Sequence, residues 1–266
     1  MINSFDFFKN VPNKKFRIAL CISGESRNAM YSFPYIYETF IRSNDIFETD
    51  VYIHTRSTYR ALHLYEAKKY VIDRSFEGQI FADTFSQEKL STFPKELRQE
   101  FESITKYAFN SNSLKNQIIL WDGILKAFNL AFEFPKYDLY IRLRPDIVFK
   151  SQFNLYGIIN DILVLKKYNI FVPNHWYSKN KKYDDTFAIG DYKSMMYYAF
   201  LFNHYISLVS ECNTFHSESI LFNYLNRNNN IKVGGHDADI SIIRKVNPLL
   251  TMAHPFYLNE NEIYEQ

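Results

Sequence analysis

Only two cysteines occur in the 266 residues, Cys21 and Cys212, and neither belongs to a CxxC pair or to a Cys/His zinc spacing. This excludes a zinc ribbon and points to a reduced protein with buried thiols rather than a disulfide scaffold. Glycine is scarce, at seven residues, and neither GxGxxG nor GxxxxGK followed by Ser or Thr occurs. A dinucleotide dehydrogenase and a P-loop kinase both need such a loop to bring backbone N–H groups against phosphates, so both are excluded. Charge of one sign is missing as well. The 31 Lys and Arg nearly cancel the 29 Asp and Glu, for a net charge of +2, and the bases are dispersed among acids, so nucleic acid is not an expected partner. No apolar run reaches the roughly 20 residues of a membrane span. The longest, Met195 to Val209, is broken by Asn203, His204 and Ser207 and reads as a core-facing helix. Asp6 and Asn10 interrupt the N-terminus, so no signal peptide is expected. The expected location is cytoplasmic, with peripheral contact at the inner face of a membrane left open by the basic patch Lys179, Lys181 and Lys182. Internal repeats, heptads and low-complexity tracts are absent too.

What is present is core-forming material, 47% hydrophobic and 18% aromatic residues, enough for one large α/β domain or two small ones. Residues 1–15 read as a loose arm. Phe16 to Ile22 (FRIALCI) is a short, almost continuous apolar run, the pattern of a strand buried on both faces of a parallel sheet. It ends in Ser23-Gly24-Glu25-Ser26-Arg27, a small-residue turn at the place where α/β folds bind ligands. A helix over Ala29 to Arg42, interrupted or started late by Pro34, leads to a second strand, Asp50 to Thr55, with His54 and Thr55 at its end. Residues 56–109 are least informative: short strands are expected over 64–72 and 79–81, and a helix over 87–107. Leu114, Ile118, Trp121, Leu125 and Phe128 recur at helical steps from a cap at Ser113, with Gln117 able to reach the sheet edge.

Tyr137 to Phe149, YDLYIRLRPDIVF, combines a buried-strand pattern with a charged tip. Leu139, Ile141, Leu143, Ile147 and Val148 read as a strand, and Arg142, Arg144 and Asp146 crowd its end around Pro145. Arg presents a planar fork to phosphate oxygens, and Asp is a hard ligand for Mg²⁺ or Mn²⁺. The same residues also suit an internal Arg–Asp ion pair. A helix over 153–165 and a strand over 169–173 follow. Asp184-Asp185 then precedes a short strand (TFAIG), directing one carboxylate towards a cleft, and a further helix starts near Asp191. A helix over 216–226 is capped by Ser217, with Glu218 in its first turn, where the dipole favours a carboxylate. Late strands are expected over 231–233 and 239–243.

In order, FRIALCISGESRN, DVYIHT, the helix with Gln117 and Trp121, YDLYIRLRPDIVF, DDTFAIGD and HSESILFNYL span residues 16–228. Together they resemble a bacterial and viral group of sugar-nucleotide-dependent glycosyltransferases of the GT-A fold. The resemblance implies an α/β, Rossmann-type three-layer sandwich with a mixed, mainly parallel sheet. Residues 16–266 would form a single domain, with 16–150 binding the nucleotide sugar and 151–266 the acceptor. It implies a hexosyl- or related transferase whose partners are a nucleotide-sugar donor and a glycan or lipid-linked saccharide acceptor.

Ser23, Gly24, Glu25, Arg27, His54, Thr55, Gln117, Arg142, Arg144, Asp146 and Asp184 would then face the donor. The family's DxD motif is reduced here to Arg144-Pro145-Asp146, which keeps only the last acid. Either Asp146 and a C-terminal histidine, His254 or His236, hold Mn²⁺ or Mg²⁺, or Arg27, Arg142 and Arg144 neutralise the diphosphate without metal and Asp146 binds a hydroxyl. If the reaction inverts the anomer, Asp185 is the first candidate for general base and Glu218 the second. A non-catalytic nucleotide-sugar or carbohydrate-binding domain is the alternative.

Overall fold

The computed structural model describes residues 15–24, 29–42, 46–55, 65–72, 91–99, 113–133, 137–149, 153–173, 182–235 and 240–242. The strands are β1 (Phe16–Ser23), β2 (Phe47–Thr55), β3 (Lys69–Ile72), β4 (Leu139–Leu143), β5 (Ile147–Phe149), β6 (Ile170–Phe171), β7 (Phe187–Gly190), β8 (Val233–Gly234) and β9 (Ile240–Ile242). The helices are α1 (Ala29–Ile36), α2 (Ser113–Phe132), α3 (Leu155–Ile159), α4 (Tyr192–Ala199), α5 (Leu201–Cys212) and α6 (Ser217–Arg227).

Seven strands form one sheet in the order β3-β2-β1-β4-β7-β6-β8. All run the same way except β7, which pairs antiparallel with both β4 and β6. The expectation of a mixed, mainly parallel sheet flanked by helices therefore holds. From β1 the chain builds outwards through β2 to β3, then returns to lay β4 on the other flank of β1. That reversal makes the carboxyl ends of β1 and β4 a switch point of the strand order, where open α/β sheets generally carry their ligand crevice.

Period-two alternation sorts the strand side chains between two cores. Ile18, Leu20 and Ile22 of β1, with Leu139, Ile141 and Leu143 of β4, pack towards α1 and α3. Ala19, Cys21, Tyr52 and Tyr140 face the other way, towards α2, α4, α5 and α6, where Trp121, Phe128, Tyr198 and Tyr205 fill the layer. Helix α2 lies over β1 and β2 because Ile118, Trp121, Ile124 and Phe128 put one buried stripe against small Ala19 and Cys21.

Several element boundaries depart from the sequence expectation. The stretch 139–149 is not one strand. The chain turns at Arg144-Pro145-Asp146, and β5 leaves the large sheet to pair with β9 in a two-stranded one. Pro breaks the strand because it has no N–H for the ladder. The apolar run 195–209 is split between α4 and α5 at Phe200. Pro34 stays within α1, and the chain widens into a π-helical turn only at Tyr37–Ile41. Helix α2 is described from Ser113 onwards. The expected strand over 169–173 shortens to two residues, Ile170–Phe171. Of the expected helix 87–107, residues 95–99 are helical, after Pro94. The arm 1–14 and the expected strand 79–81 lie outside the described residues.

Candidate functional site

At the crevice the ends of β1, β2 and β4 meet the start of β7, which is brought there by running antiparallel to β4. Gly24 follows β1 with φ +134°, a conformation that L side chains rarely adopt, and a Cβ there would lie 3.1 Å from the Pro145 ring. The glycine therefore lets the β1 turn close on the turn after β4. Pro145 is held from the other side as well, since its carbonyl accepts a hydrogen bond from Ser32 Oγ of α1. Ser23, His54 and Thr55 are buried at the same edge, with Ser23 opposite His54 in the β1–β2 register.

On that frame Arg144 and Asp146 clasp one another. Arg144 Nε donates to Asp146 Oδ1 at 2.9 Å and Nη2 donates to Oδ2 at 2.8 Å, with side chains 29% and 16% exposed. Burial works against the Arg144 charge, but the hydrogen bond and charge of Asp146, with Asp185 and Asp184 nearby, hold its pKa above the ordinary value. The ion-pair reading of this motif is thus realised, at a half-buried edge rather than beneath the core.

Arg142 is withdrawn from solvent. It points to the α2 and α4 side and is fully buried, where the cross-sheet register places it between Cys21 and Ala188, whose small side chains make room. Nη1 donates to the Thr186 carbonyl at 2.7 Å and the Tyr198 phenol interacts with the guanidinium, while Nε and Nη2 make no well-formed hydrogen bond among the described residues. Burial pushes its pKa down, against the countering influence of Tyr198, Asp185 and Asp146. In this conformation Arg142, expected to face a donor, supports the loop before β7.

That loop carries the two adjacent acids. Asp184 Oδ1 accepts the Thr186 N–H at 2.7 Å, which folds the turn. Asp185 faces α6 instead, and its Oδ2 accepts from Ser217 Oγ at 2.5 Å. Ser217 Oγ accepts in turn from Trp121 Nε1 at 3.2 Å. An indole N–H can only donate, so the Ser217 proton is committed to Asp185 and the carboxylate is fixed in orientation. Ser217 is therefore a relay and not the cap expected from the sequence; His216 occupies the cap position without a side-chain hydrogen bond. Tyr205 completes this wall. It donates to Gln117 Oε1 at 2.8 Å, and burial, with the charges of Asp185 and Glu218, drives its phenol upwards.

The structure therefore gathers Arg144, Asp146, Asp184 and Asp185 at one edge, with Gln117 and Glu218 on the adjoining α2–α6 wall. Glu25, Arg27, His236 and His254 lie outside the described residues. The described residues alone do not form a site for a divalent ion: no three Asp, Glu, His or Cys side chains among them are placed to hold one, and both Asp146 oxygens accept from Arg144, while the expected partners His236 and His254 lie outside them. Sequence reasoning missed Trp121 and Ser217 as supports of Asp185, because a contact between α2 and α6, 96 residues apart, leaves no local pattern. The burial of Arg142 had a faint signal in its parity with Tyr140 along β4. Among the described residues no helix is long and apolar enough to cross a membrane. No protein-family model matches the chain, and no curated protein matches it significantly.

Proposed function

We propose that the chain is a nucleotide-sugar-dependent glycosyltransferase that moves a sugar to a hydroxyl of a glycan or lipid-linked saccharide. The observation that carries this reading is the meeting, at the strand-order reversal, of a guanidinium on the turn after β4 with two acids that arrive some 40 residues later on the loop before β7. A parallel half, β3-β2-β1-β4, and a second half, β7-β6-β8, share one sheet, which suits donor and acceptor halves on either side of that edge.

In this reading Arg144 neutralises charge on the departing diphosphate, the position where transition-state charge develops. Asp185 takes the proton of the attacking hydroxyl on Oδ1, since Ser217 occupies Oδ2. The backbone from Asp184 to Thr186, pinned by Arg142 and by the Arg144 N–H to Thr186 carbonyl contact at 3.3 Å, holds base and guanidinium in fixed relation. A divalent ion belongs to the test rather than to these steps.

The test is a thermal-shift screen of nucleoside diphosphates and their sugars, with and without Mn²⁺, followed by assays of hydrolysis and transfer for every ligand that raises the melting temperature. Asp185→Asn is expected to keep the ligand-induced shift and to lower turnover by about 100-fold or more. Turnover within a few-fold of wild type would remove Asp185 from the base role. The capture of Asp146 by Arg144 favours one second reading, a binding module without turnover, and ligand shifts with neither hydrolysis nor transfer would establish it.

A further inference from the structure

Arg144 and Asp146 meet edge to edge through two parallel hydrogen bonds, from Nε and Nη2, one of the guanidinium edges that a phosphate can use. Their surroundings differ sharply in rigidity. The backbone beneath them is clamped by the Ser32 hydrogen bond to Pro145, by Gly24 against the Pro145 ring, and by the Arg144 N–H to the Thr186 carbonyl. The side-chain pair itself keeps 29% and 16% of its surface in solvent, so a dissolved anion can reach it. A solvent-accessible ion pair thus sits on a fixed backbone at the sheet edge.

We propose that Asp146 is an intramolecular stand-in for a diphosphate. The phosphate oxygens of the ligand displace Asp146 from the Arg144 fork, and the released carboxylate turns to a hydroxyl of the ligand's ribose or sugar. This deepens the nucleotide-sugar reading and rests on it. The pair then works as a selectivity latch. A bare anion that takes the Nε–Nη2 edge displaces Asp146 and leaves it without a partner, whereas a ligand that carries both a pyrophosphate and neighbouring hydroxyls satisfies both residues. Asp184 and Asp185 add to the discrimination, because their charges also favour Arg144 in its present place and repel an anion with no sugar to shield it.

The latch makes an unusual demand: removing a carboxylate from the site must tighten the binding of bare anions. Titration calorimetry of the full chain in EDTA, with inorganic phosphate, inorganic pyrophosphate and a panel of nucleoside diphosphates and nucleotide sugars, reads this directly. Asp146→Ala and Asp146→Asn are expected to bind pyrophosphate about fivefold to tenfold more tightly than wild type. Nucleotide-sugar affinity should not rise in parallel, and Arg144→Gln should lose pyrophosphate binding. Circular dichroism and the unliganded melting temperature confirm folding, and the isosteric Asn variant keeps the test open if Ala unfolds. Pyrophosphate binding that is unchanged or weaker in both Asp146 variants overturns the latch. So does a loss of binding in these variants seen only when Mn²⁺ is added, which would make Asp146 a metal ligand. If neither wild type nor the Asp146 variants bind pyrophosphate or any nucleoside diphosphate, the nucleotide-sugar reading itself fails.

Discussion

Arg142 shows how much a single side chain can cost and what it supports. A guanidinium with no exposed surface and two nitrogens without a well-formed hydrogen bond among the described residues is a poor bargain for stability, because desolvation of the charge is only partly offset by one hydrogen bond to Thr186 and the phenol of Tyr198 nearby. Replacing such a charge by an apolar side chain of similar length is often neutral or stabilising. Arg142→Met is expected to raise stability in chemical denaturation by about 1–3 kcal/mol. The same variant should lower turnover, since the Thr186 carbonyl then keeps only the longer bond from the Arg144 N–H to fix the loop carrying Asp184 and Asp185. A destabilised Arg142→Met would mean that the guanidinium is better satisfied than the described contacts show.

Among the elements, β1, β2 and β4 are tied together by a second polar cluster away from the crevice. Asp50 on β2 accepts from Lys68 at 2.7 Å and from the Tyr137 hydroxyl at 2.5 Å, lies 3.5 Å from Arg17 of β1, and the Arg17 guanidinium stacks over the Tyr137 ring. Burial alone would raise the Asp50 pKa, but the hydrogen bonds from Lys68 and Tyr137 and the charges of Lys68 and Arg17 outweigh it and hold it below the ordinary 3.8. A depressed carboxylate contributes stability that is fully present above the unfolded value and lost as pH falls through the folded one. Stability measured by denaturant should therefore drop below about pH 4 in wild type. In Asp50→Asn it should be lower at neutral pH and fall less steeply in acid. Parallel acid profiles for the two proteins would show that the cluster contributes no net stability.

Across the molecule, β7 is the join between the two halves of the sheet, hydrogen-bonded to β4 on one side and β6 on the other. Two cores lie on opposite faces of one continuous sheet, so neither half can lose its packing without exposing the other. Thermal unfolding followed by far-UV and near-UV circular dichroism should give coincident single transitions, despite a length that would accommodate two domains. Two separated transitions would mark the halves as independent.

The apolar runs of β1, the end of β2, β4 and β7, and the stripe of α2, are legible in the residues because strand and helix periods are local and repeat within a few positions. So are the charged tip around Pro145 and the adjacent acids before β7. Their partners are not legible. Whether Arg142 points into the crevice or beneath it depends on the register that sets it between Cys21 and Ala188, and whether Ser217 caps a helix or binds Asp185 depends on how α6 docks against α2. Arg144 and Asp146 are two residues apart, and both the pair and the free fork were open to them. Pro145, clamped between Gly24 and Ser32, bends the chain so that the two side chains meet. Local pattern specifies which residues are apolar and which carry charge; long-range packing assigns each charge its partner, because hydrogen-bond geometry is satisfied between segments that lie far apart along the chain.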